Sequence, residues 1–312
     1  MQVILANPRG FCAGVEMAIQ TVEKAIEIVG TPLYVYHEIV HNRHVVRRFV
    51  QQGVVFVDSI DDVPANATVV FSAHGVSPQV RQDAKARGCT MIDATCPLVT
   101  KVHMEALRYA RQGYHILLIG HAGHDEVVGT VGEAPGAITI VESPGDVDAL
   151  PYTRDDKIAY LTQTTLSIDD AERIIGAIRK RYPQVKEPPS EDICYATTNR
   201  QRAVRELSPR ADLVLVVGSQ NSSNSVRLTE IAQNAGTDAR LLDDASELNP
   251  AWFEGVERVL VTAGASAPEH LVQEIVQKLV EDYGGHVEHA TVVEEDMSFN
   301  LPVSLRVLAT QS

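Results

Sequence analysis

The stretch ILANPRGFCAGVEMAI at 4–19 decides the fold, because a strand-like apolar run breaks at Asn7 and Pro8 and a helical pattern starts just after Cys12. Two other stretches share the design: MIDATCPLVTKVH at 91–103 around Cys96, and DICYATTNRQRAV at 192–204 around Cys194. Each cysteine stands at the end of a predicted strand, where a helix is about to begin. Strand ends are where α/β folds place their sites. A helix N-terminus favours negative charge, so a thiolate is at home there. Three thiolates brought to one point would hold a metal or an iron–sulfur cluster with one position open, which chemistry needs and a structural site lacks.

Outward from these stretches, strand-like and helical runs alternate along the whole chain. Predicted strands include VILAN at 3–7, LYVYH at 33–37, VVFVD at 54–58, TVVFSAHG at 68–75 and HILLIGH at 115–121. KIAYLTQ at 157–163, ADLVLVVGS at 211–219, RVLVTAGAS at 258–266 and HVEHATVVEED near the C-terminus follow. Amphipathic stretches at 14–29, 97–111, 168–181, 226–235 and 268–281 read as helices. The alternation predicts an α/β protein with mostly parallel sheets. VKEPPSED at 185–192 is the best boundary, because Pro188 and Pro189 cannot continue the preceding helix.

A repeat emerges once strand ends are aligned. After each cysteine comes a second strand–turn–helix carrying His41, His124 and Asn224, then a third carrying His74, Thr164 and Ser266. The chain therefore reads as three small α/β units, 1–94, 95–190 and 191–284, with a tail at 285–312. A pseudo-threefold, trefoil-like arrangement would point every strand-end site at one central cavity.

Bulk composition narrows the function. The 312 residues carry a net charge of −14, from 27 Lys+Arg against 41 Asp+Glu. That balance argues against general nucleic-acid binding. No apolar run approaches the roughly 20 residues that span a bilayer, so no membrane association is expected. The opening residues already read as a strand, so no leader peptide is expected. A cytoplasmic setting follows, where thiols stay reduced and four cysteines are ligands, catalysts or core residues rather than disulfides.

No two cysteines are close enough for a zinc finger or a compact ferredoxin-type run. Single ligands spread one per unit suit a cluster assembled by the finished tertiary fold. Cys89, at the start of a strand, reads as structural. TQTT at 162–165, SQNSSNS at 219–225 and AGASAPE at 263–269 are hydroxyl- and amide-rich turns that open helices. With His41, His74 and His124 they would bind a small phosphorylated ligand through N–H and O–H donors; plain helix capping is the alternative for any one turn. Glu126, two residues after His124, could relay protons, or simply complement a helix dipole. No Walker or GxGxxG loop is present. HEIVH at 37–41 has the zincin spacing, but its first half reads as strand, so the two histidines would not share a helix face.

Taken together, NPRGFCAGV, HEIVHN, SAHGVS, DATCPLV, GHAGH, TQTTLS, CYATTNRQ, GSQNSSNS and TAGASAP resemble the 4-hydroxy-3-methylbut-2-enyl diphosphate reductase family. The resemblance runs in order from residue 1 to about 280. It implies a three-unit fold around one four-iron, four-sulfur cluster bound by Cys12, Cys96 and Cys194, with the fourth iron open. It also implies that His41, His74, His124, Ser222, Ser223, Asn224 and Ser266 hold the diphosphate. Thr164 would hydrogen-bond near the substrate hydroxyl and Glu126 would deliver protons. The implied reaction removes that hydroxyl with two electrons and two protons, giving isopentenyl and dimethylallyl diphosphates. Asp125 departs from the family's usual proline, a change that could loosen the turn and shift proton delivery but leaves His124 and Glu126 in place.

A redox-neutral iron–sulfur hydro-lyase acting on a small phosphorylated substrate would use the same ligands. A zinc-stabilised phosphate-binding module is a third reading. The reductase needs an electron donor such as a flavodoxin or ferredoxin. Arg43, Arg47 and Arg48, or Arg200, Arg202 and Arg205, are the candidate docking patches.

Overall fold

The computed structural model describes residues 1–311. In chain order the elements are β1 (Gln2–Asn7), α1 (Ala13–Val29), β2 (Leu33–Tyr36), α2 (Arg43–Gln51), β3 (Val54–Val57), β4 (Thr68–Phe71), α3 (Pro78–Ala86) and β5 (Thr90–Asp93). Next come α4 (Pro97–Arg111), β6 (His115–Ile119), α5 (Asp125–Glu133), β7 (Ile138–Val141), α6 (Pro144–Ala149), β8 (Ile158–Thr162) and α7 (Ile168–Arg181). The last third holds α8 (Tyr195–Leu207), β9 (Leu213–Val217), α9 (Ser223–Asn234), β10 (Asp238–Leu242), β11 (Arg258–Ala263), α10 (Glu269–Tyr283), β12 (His286–Thr291) and α11 (Val303–Gln311).

The strands form three sheets, in the orders β3-β2-β4-β5, β7-β6-β8 and β10-β9-β11-β1-β12. Every pairing between them is parallel. Parallel strands need a crossover, and the helices supply it. The α/β class and its three similar units are as the sequence reading expects. The repeat is explicit in the strand orders: β3-β2-β4, β7-β6-β8 and β10-β9-β11 are the same arrangement. The fourth place is taken by β5, by a single parallel bridge between Lys186 and Ala159, and by β1. These three segments lead to Cys96, Cys194 and Cys12.

Two readings are corrected here. Cys194 does not end a strand: after Lys186 the chain runs irregularly to α8. Pro188 and Pro189 have no N–H to give a ladder, so the fourth strand shrinks to one bridge. By hydrogen bonding, β1 joins β11 and β12 rather than the strands of 33–93. The C-terminal β12 runs beside β1 in parallel, from Gln2↔His286 to Asn7↔Thr291. Two strands, β7 and β10, lie outside the predicted set. Both are short edge strands and only partly buried, so their sequences lack a continuous apolar run.

The chain packs as two compact units. One comprises Met1–Val15, His41–Arg47 and Tyr195–Ser298, and contains the sheet β10-β9-β11-β1-β12. Alternation along its strands sorts two cores. Val3, Leu5, Leu215 and Val261 face Leu271, Ile275 and Leu279 of α10. Ile4, Ala6, Val216 and Leu260 face Val204 of α8 and Leu228 and Ile231 of α9. Strands buried on both faces explain the unbroken apolar runs VILA and LVLVV. Each such side chain contributes about 1.5–3 kcal/mol by leaving water.

The other unit comprises Glu16–Val40, Arg48–Cys194 and the chain from Phe299 on. It contains the two remaining sheets. Ile116, Leu118 and Leu161 pack on Val102, Ala106 and Tyr109 of α4. Leu117, Ile119 and Tyr160 pack on Ile174 and Ile178 of α7. Val69 and Phe71 of β4 pack near Ala84 of α3. Among the described residues, no helix is long and apolar enough to cross a membrane.

Candidate active site

All three cysteines sit immediately before helices. Cys12 precedes α1, Cys96 is the N-cap of α4 with Pro97 in the first turn, and Cys194 precedes α8. The N–H ends of helices favour thiolates. All three are partly exposed and none forms a disulfide. Cys89 instead is buried in the cluster of Val57, Ile60, Val69 and Phe71.

One backbone bond recurs in all three repeats. The N–H of Cys12 donates to Ala265 O at 3.2 Å, that of Cys96 to Ala73 O at 3.0 Å, and that of Cys194 to Thr164 O at 3.1 Å. The acceptors lie beside or on the third-position residues Ser266, His74 and Thr164. The spacing read from sequence therefore corresponds to one repeated contact, in which the end of a sheet's third strand fixes each cysteine's backbone.

In the unit containing two sheets, Glu126 is buried in the first turn of α5. Its Oε1 accepts the Thr164 N–H at 2.7 Å and its Oε2 accepts the Thr164 hydroxyl at 2.8 Å. His124 is the N-cap of α5, and its Nδ1 accepts the Glu126 N–H at 3.2 Å. That bond assigns the proton of a neutral His124 to Nε2. The rings of His74 and His124 meet edge to face with centroids 5.9 Å apart. Thr164, Glu126, His124 and His74 thus lie in a row of neighbours, joined by side-chain bonds between Thr164 and Glu126, a backbone bond to His124 and a ring contact to His74, with the Cys194 backbone at its end.

Asp125 lies between His124 and Glu126 in this turn. It occupies the first position of α5, where a carboxylate suits the dipole. Its Oδ1 lies 2.7 Å from His37 Nδ1 and its Oδ2 3.8 Å from His74 Nδ1. His37 holds φ +58, a left-handed conformation uncommon for a side-chain-bearing residue, and stacks on Tyr36. The 37–41 segment contains no helix, in agreement with the rejection of a zincin motif.

The hydrogen bond to Asp125 raises the His37 pKa above its ordinary 6.5, against the opposing effect of burial. The sign follows from linkage. Below 6.5 the folded and unfolded histidines are both protonated and the pair's stabilisation is fully present. It is lost as pH rises through the raised folded value. We expect the unfolding free energy of the parent, measured with urea, to fall more between about pH 6 and about pH 9 than that of Asp125→Asn, by under about 1 kcal/mol. Parallel pH profiles for the two proteins would show that the pair does not titrate in this window.

In the unit containing residues 195–298, Ser222 is the N-cap of α9. Its Oγ accepts the Ser225 N–H at 3.4 Å and the Ser225 hydroxyl at 3.0 Å. Ser266 Oγ lies 3.3 Å from Ser222 Oγ and donates to the His41 carbonyl at 2.9 Å. His41 is placed by Asn42, whose buried Oδ1 accepts the N–H groups of His44 and Val45 at 3.1 Å and so caps α2. The close approach of α9 to the strand ends needs Gly218 and Gly264, since a Cβ at either would collide with the Ser225 hydroxyl. Ser223 begins α9 and is partly exposed. Asn224 is buried, yet neither its Nδ2 nor its Oδ1 has a hydrogen-bond partner. A buried amide with both ends unmet costs several kcal/mol, and this marks a place shaped for a polar ligand.

The donor set fits a thiolate-bound metal group. Three soft sulfur donors stand at helix N-termini, one per repeat, and no disulfide consumes them. Several arginines of the two candidate patches are buried or ion-paired. Arg200 has no exposed surface. Arg43 is engaged with Asp243, Asp244 and Glu247, Arg48 with Glu23, and Arg202 with Glu206. Burial pushes the Asp244 carboxyl up, but Ser246 and Arg43 outweigh it and hold the group at about 2. Sequence reasoning missed His37, Asp125 as its partner, and Tyr195. The Tyr195 phenol accepts the Ala13 N–H at 3.1 Å, and burial raises its pKa to about 12, so it stays neutral. The one available signal was the aromatic directly after Cys194.

This is an all-parallel α/β protein of threefold internal repeat, with one thiol per repeat at a helix start beside hydroxyl- and histidine-bearing turns. The chain belongs to the LytB family, whose model, described as LytB protein, matches residues 3–280. A relative from Rhodopirellula baltica, called 4-hydroxy-3-methylbut-2-enyl diphosphate reductase, is 54% identical over 311 residues, covering 100% of this chain and 98% of its own. The structure of E-1-hydroxy-2-methyl-but-2-enyl-4-diphosphate reductase from Plasmodium falciparum superposes with a TM-score of 0.97 at 39% identity, covering 99% of this chain and 98% of that one. A second structure, of the (E)-4-hydroxy-3-methyl-but-2-enyl diphosphate reductase described as the terminal enzyme of the non-mevalonate pathway, gives 0.65 at 31% identity, covering 90% and 100%.

Proposed function

We propose that the chain catalyses the reductive removal of the hydroxyl of 4-hydroxy-3-methylbut-2-enyl diphosphate. Two electrons and two protons enter, the C–O bond breaks, and water leaves with isopentenyl or dimethylallyl diphosphate. The three repeats, 1–94, 95–190 and 191–284 with the tail 285–312, each supply one ligand: Cys12, Cys96 and Cys194. The observation that carries the reading is the buried Glu126, held by both donors of Thr164, whose carbonyl in turn accepts the Cys194 N–H. A proton carrier is thereby built onto the backbone of a metal ligand.

A four-iron, four-sulfur cluster with one open iron, when bound, would supply single electrons and a Lewis-acid position for the hydroxyl. The rest falls to the chain's own residues. Asn224 offers an amide donor to a diphosphate oxygen, with Ser222, Ser223 and Ser266 contributing hydroxyls and His41, His74 and His124 contributing imidazole N–H groups. Thr164 orients the substrate hydroxyl, and Glu126 gives the proton with which it leaves as water. Excluding water from such a site strengthens each of these interactions. A reducing, cytoplasmic setting and a small flavodoxin- or ferredoxin-like donor complete the proposal. Of the two candidate arginine patches, Arg200 is buried and cannot face the donor, while Arg47 is exposed.

The decisive assay supplies the substrate without oxygen, with and without a strong artificial reductant. Turnover only with reductant supports the reading; turnover without it would establish the redox-neutral hydro-lyase. Zinc without sulfide in the purified protein would establish the binding module instead.

The diphosphate site has its own test. Ser222 is a true helix cap, so its loss would destabilise α9 by about 1 kcal/mol whatever it binds. Asn224→Ala is cleaner, because it removes an amide with no hydrogen-bond partner among the described residues. We expect it to weaken competitive inhibition by inorganic diphosphate by about 10- to 100-fold, the equivalent of roughly 1.5–3 kcal/mol, with iron and sulfide unchanged. Equal inhibition of variant and parent would exclude Asn224 from the site.

A further inference from the structure

Two cations hold the loops that carry cysteines, and the function above uses neither. Arg200, in the second turn of α8, is fully buried. It donates to the Gly10 carbonyl from Nη2 at 2.7 Å and from Nε at 3.2 Å, and to the Phe11 carbonyl at 3.4 Å. Its Nη1 donates to Ala196 O at 3.0 Å and to Glu295 Oε1 at 3.2 Å, a carboxylate that Asn199 also engages at 2.9 Å. Gly10 adopts φ +66, and a Cβ there would press on the Ala267 carbonyl. With Tyr195 accepting from Ala13, the chain on both sides of Cys12 is fastened to the start of α8.

Lys101, in the second turn of α4, acts alike on another loop. Its amine donates to the carbonyls of Ser190 and Glu191, both at 2.8 Å, and to Asp192 Oδ1 at 3.0 Å. The other oxygen of Asp192 accepts the Thr162 N–H at 3.0 Å. This is the segment ahead of Cys194, where no strand ladder satisfies the backbone. The segment ahead of Cys96 needs no cation, because Asp93 accepts from both the N–H and the hydroxyl of Thr95.

Adjacent carbonyls turned the same way need a multi-donor cation, and guanidinium and ammonium are the groups that provide one. Burying Arg200 carries a large desolvation penalty that only full hydrogen bonding offsets. We propose that Arg200 and Lys101 are positioning residues for the metal ligands, each holding the loop ahead of one cysteine in its binding shape by tying it to the helix that follows another cysteine. Arg200 serves Cys12 from the helix after Cys194, and Lys101 serves Cys194 from the helix after Cys96. Loops set in advance spare the ordering that binding would otherwise require. The proposal rests on the reading of these cysteines as cluster ligands.

The test uses the full chain purified without oxygen, with two readouts: the rate of iron release to a chelator, and amide hydrogen exchange on the same chain after metal removal. Lys101→Met should speed iron release about tenfold and expose the Cys194 amide to exchange, leaving those of Gly10, Cys12 and Ala13 unchanged. Arg200→Lys keeps the charge but loses the fork, and should do the reverse. Should Arg200→Lys fail to fold, Glu295→Gln loosens the same contact from a partly exposed position. Unchanged iron release and unchanged exchange at the served cysteine would overturn the assignment. So would faster exchange spread evenly through β6 and β9, the mark of general destabilisation. Protein isolated with zinc or without sulfide refutes the cluster reading instead, and the exchange readout then still decides whether the two cations hold their loops.

Discussion

Cys12→Ala, Cys96→Ala and Cys194→Ala should each lose most of the iron and sulfide of the anaerobically purified chain, whereas Cys89→Ala should keep both. The first three share a helix start and the same N–H bond to the end of a third strand. On the proposed ligation, removing any one thiolate leaves two, which would be too few to hold a cluster with one position open. Cys89 lies among apolar side chains, its Sγ facing only the Pro64 carbonyl at 3.9 Å. Its truncation leaves a small cavity and costs about 1 kcal/mol of stability. Iron and sulfide per chain, with the visible absorption of the cluster, are the readouts. A colourless Cys89→Ala protein, or a fully loaded variant at any of the other three positions, would break the assignment.

Glu126→Gln should keep the fold, the cluster and substrate binding while lowering turnover by about 10²- to 10⁴-fold, the usual contribution of a positioned proton donor. Glutamine preserves the two contacts to Thr164. Its carbonyl accepts the backbone N–H, and its amide donates to the hydroxyl, which can reverse its role. It cannot deliver a proton. Were Glu126 only a favourable charge at the start of α5, its loss would cost well under about 1 kcal/mol and leave the rate almost intact. The rate with a strong artificial reductant, where donor docking does not limit, separates the two. Turnover within a few-fold of the parent would move the role to His124 or to the substrate's own diphosphate.

The fold was readable because its strands are short apolar runs buried on both faces, which punctuated helices separate. β7 and β10 were not, since edge strands such as DARLL share their exposure with loops. The cysteine pattern was readable as a repeat. What linear spacing concealed was the substitution of a single Lys186–Ala159 bridge for a strand ahead of Cys194. Site residues on turns, such as Ser222 and Ser266, could be picked out by their company. Their division of labour could not: capping by Ser222 and the unmet amide of Asn224 depend on which way each side chain turns. Arg200 misled for the same reason. In CYATTNRQR at 194–202 nothing in the letters distinguishes the fully buried Arg200 from the solvated Arg202 two positions on.

The placement of β1 between β11 and β12 has a consequence for biosynthesis. The first strand to leave the ribosome has no partner until Arg258–Ala263 has been made, and its second partner is the last strand among the described residues. At about 5–20 residues per second the wait is roughly 12–50 s. Throughout that interval the segment bearing Cys12 has neither its sheet nor the Ala265 carbonyl that anchors it. The sheet with β2 to β5 and the one with β6 to β8 can form meanwhile, with Cys96 and Cys194 already in place. If Cys12 is a cluster ligand as proposed, metal loading waits for the end of translation, and a nascent chain cut short before its final third would lack the anchored third thiol.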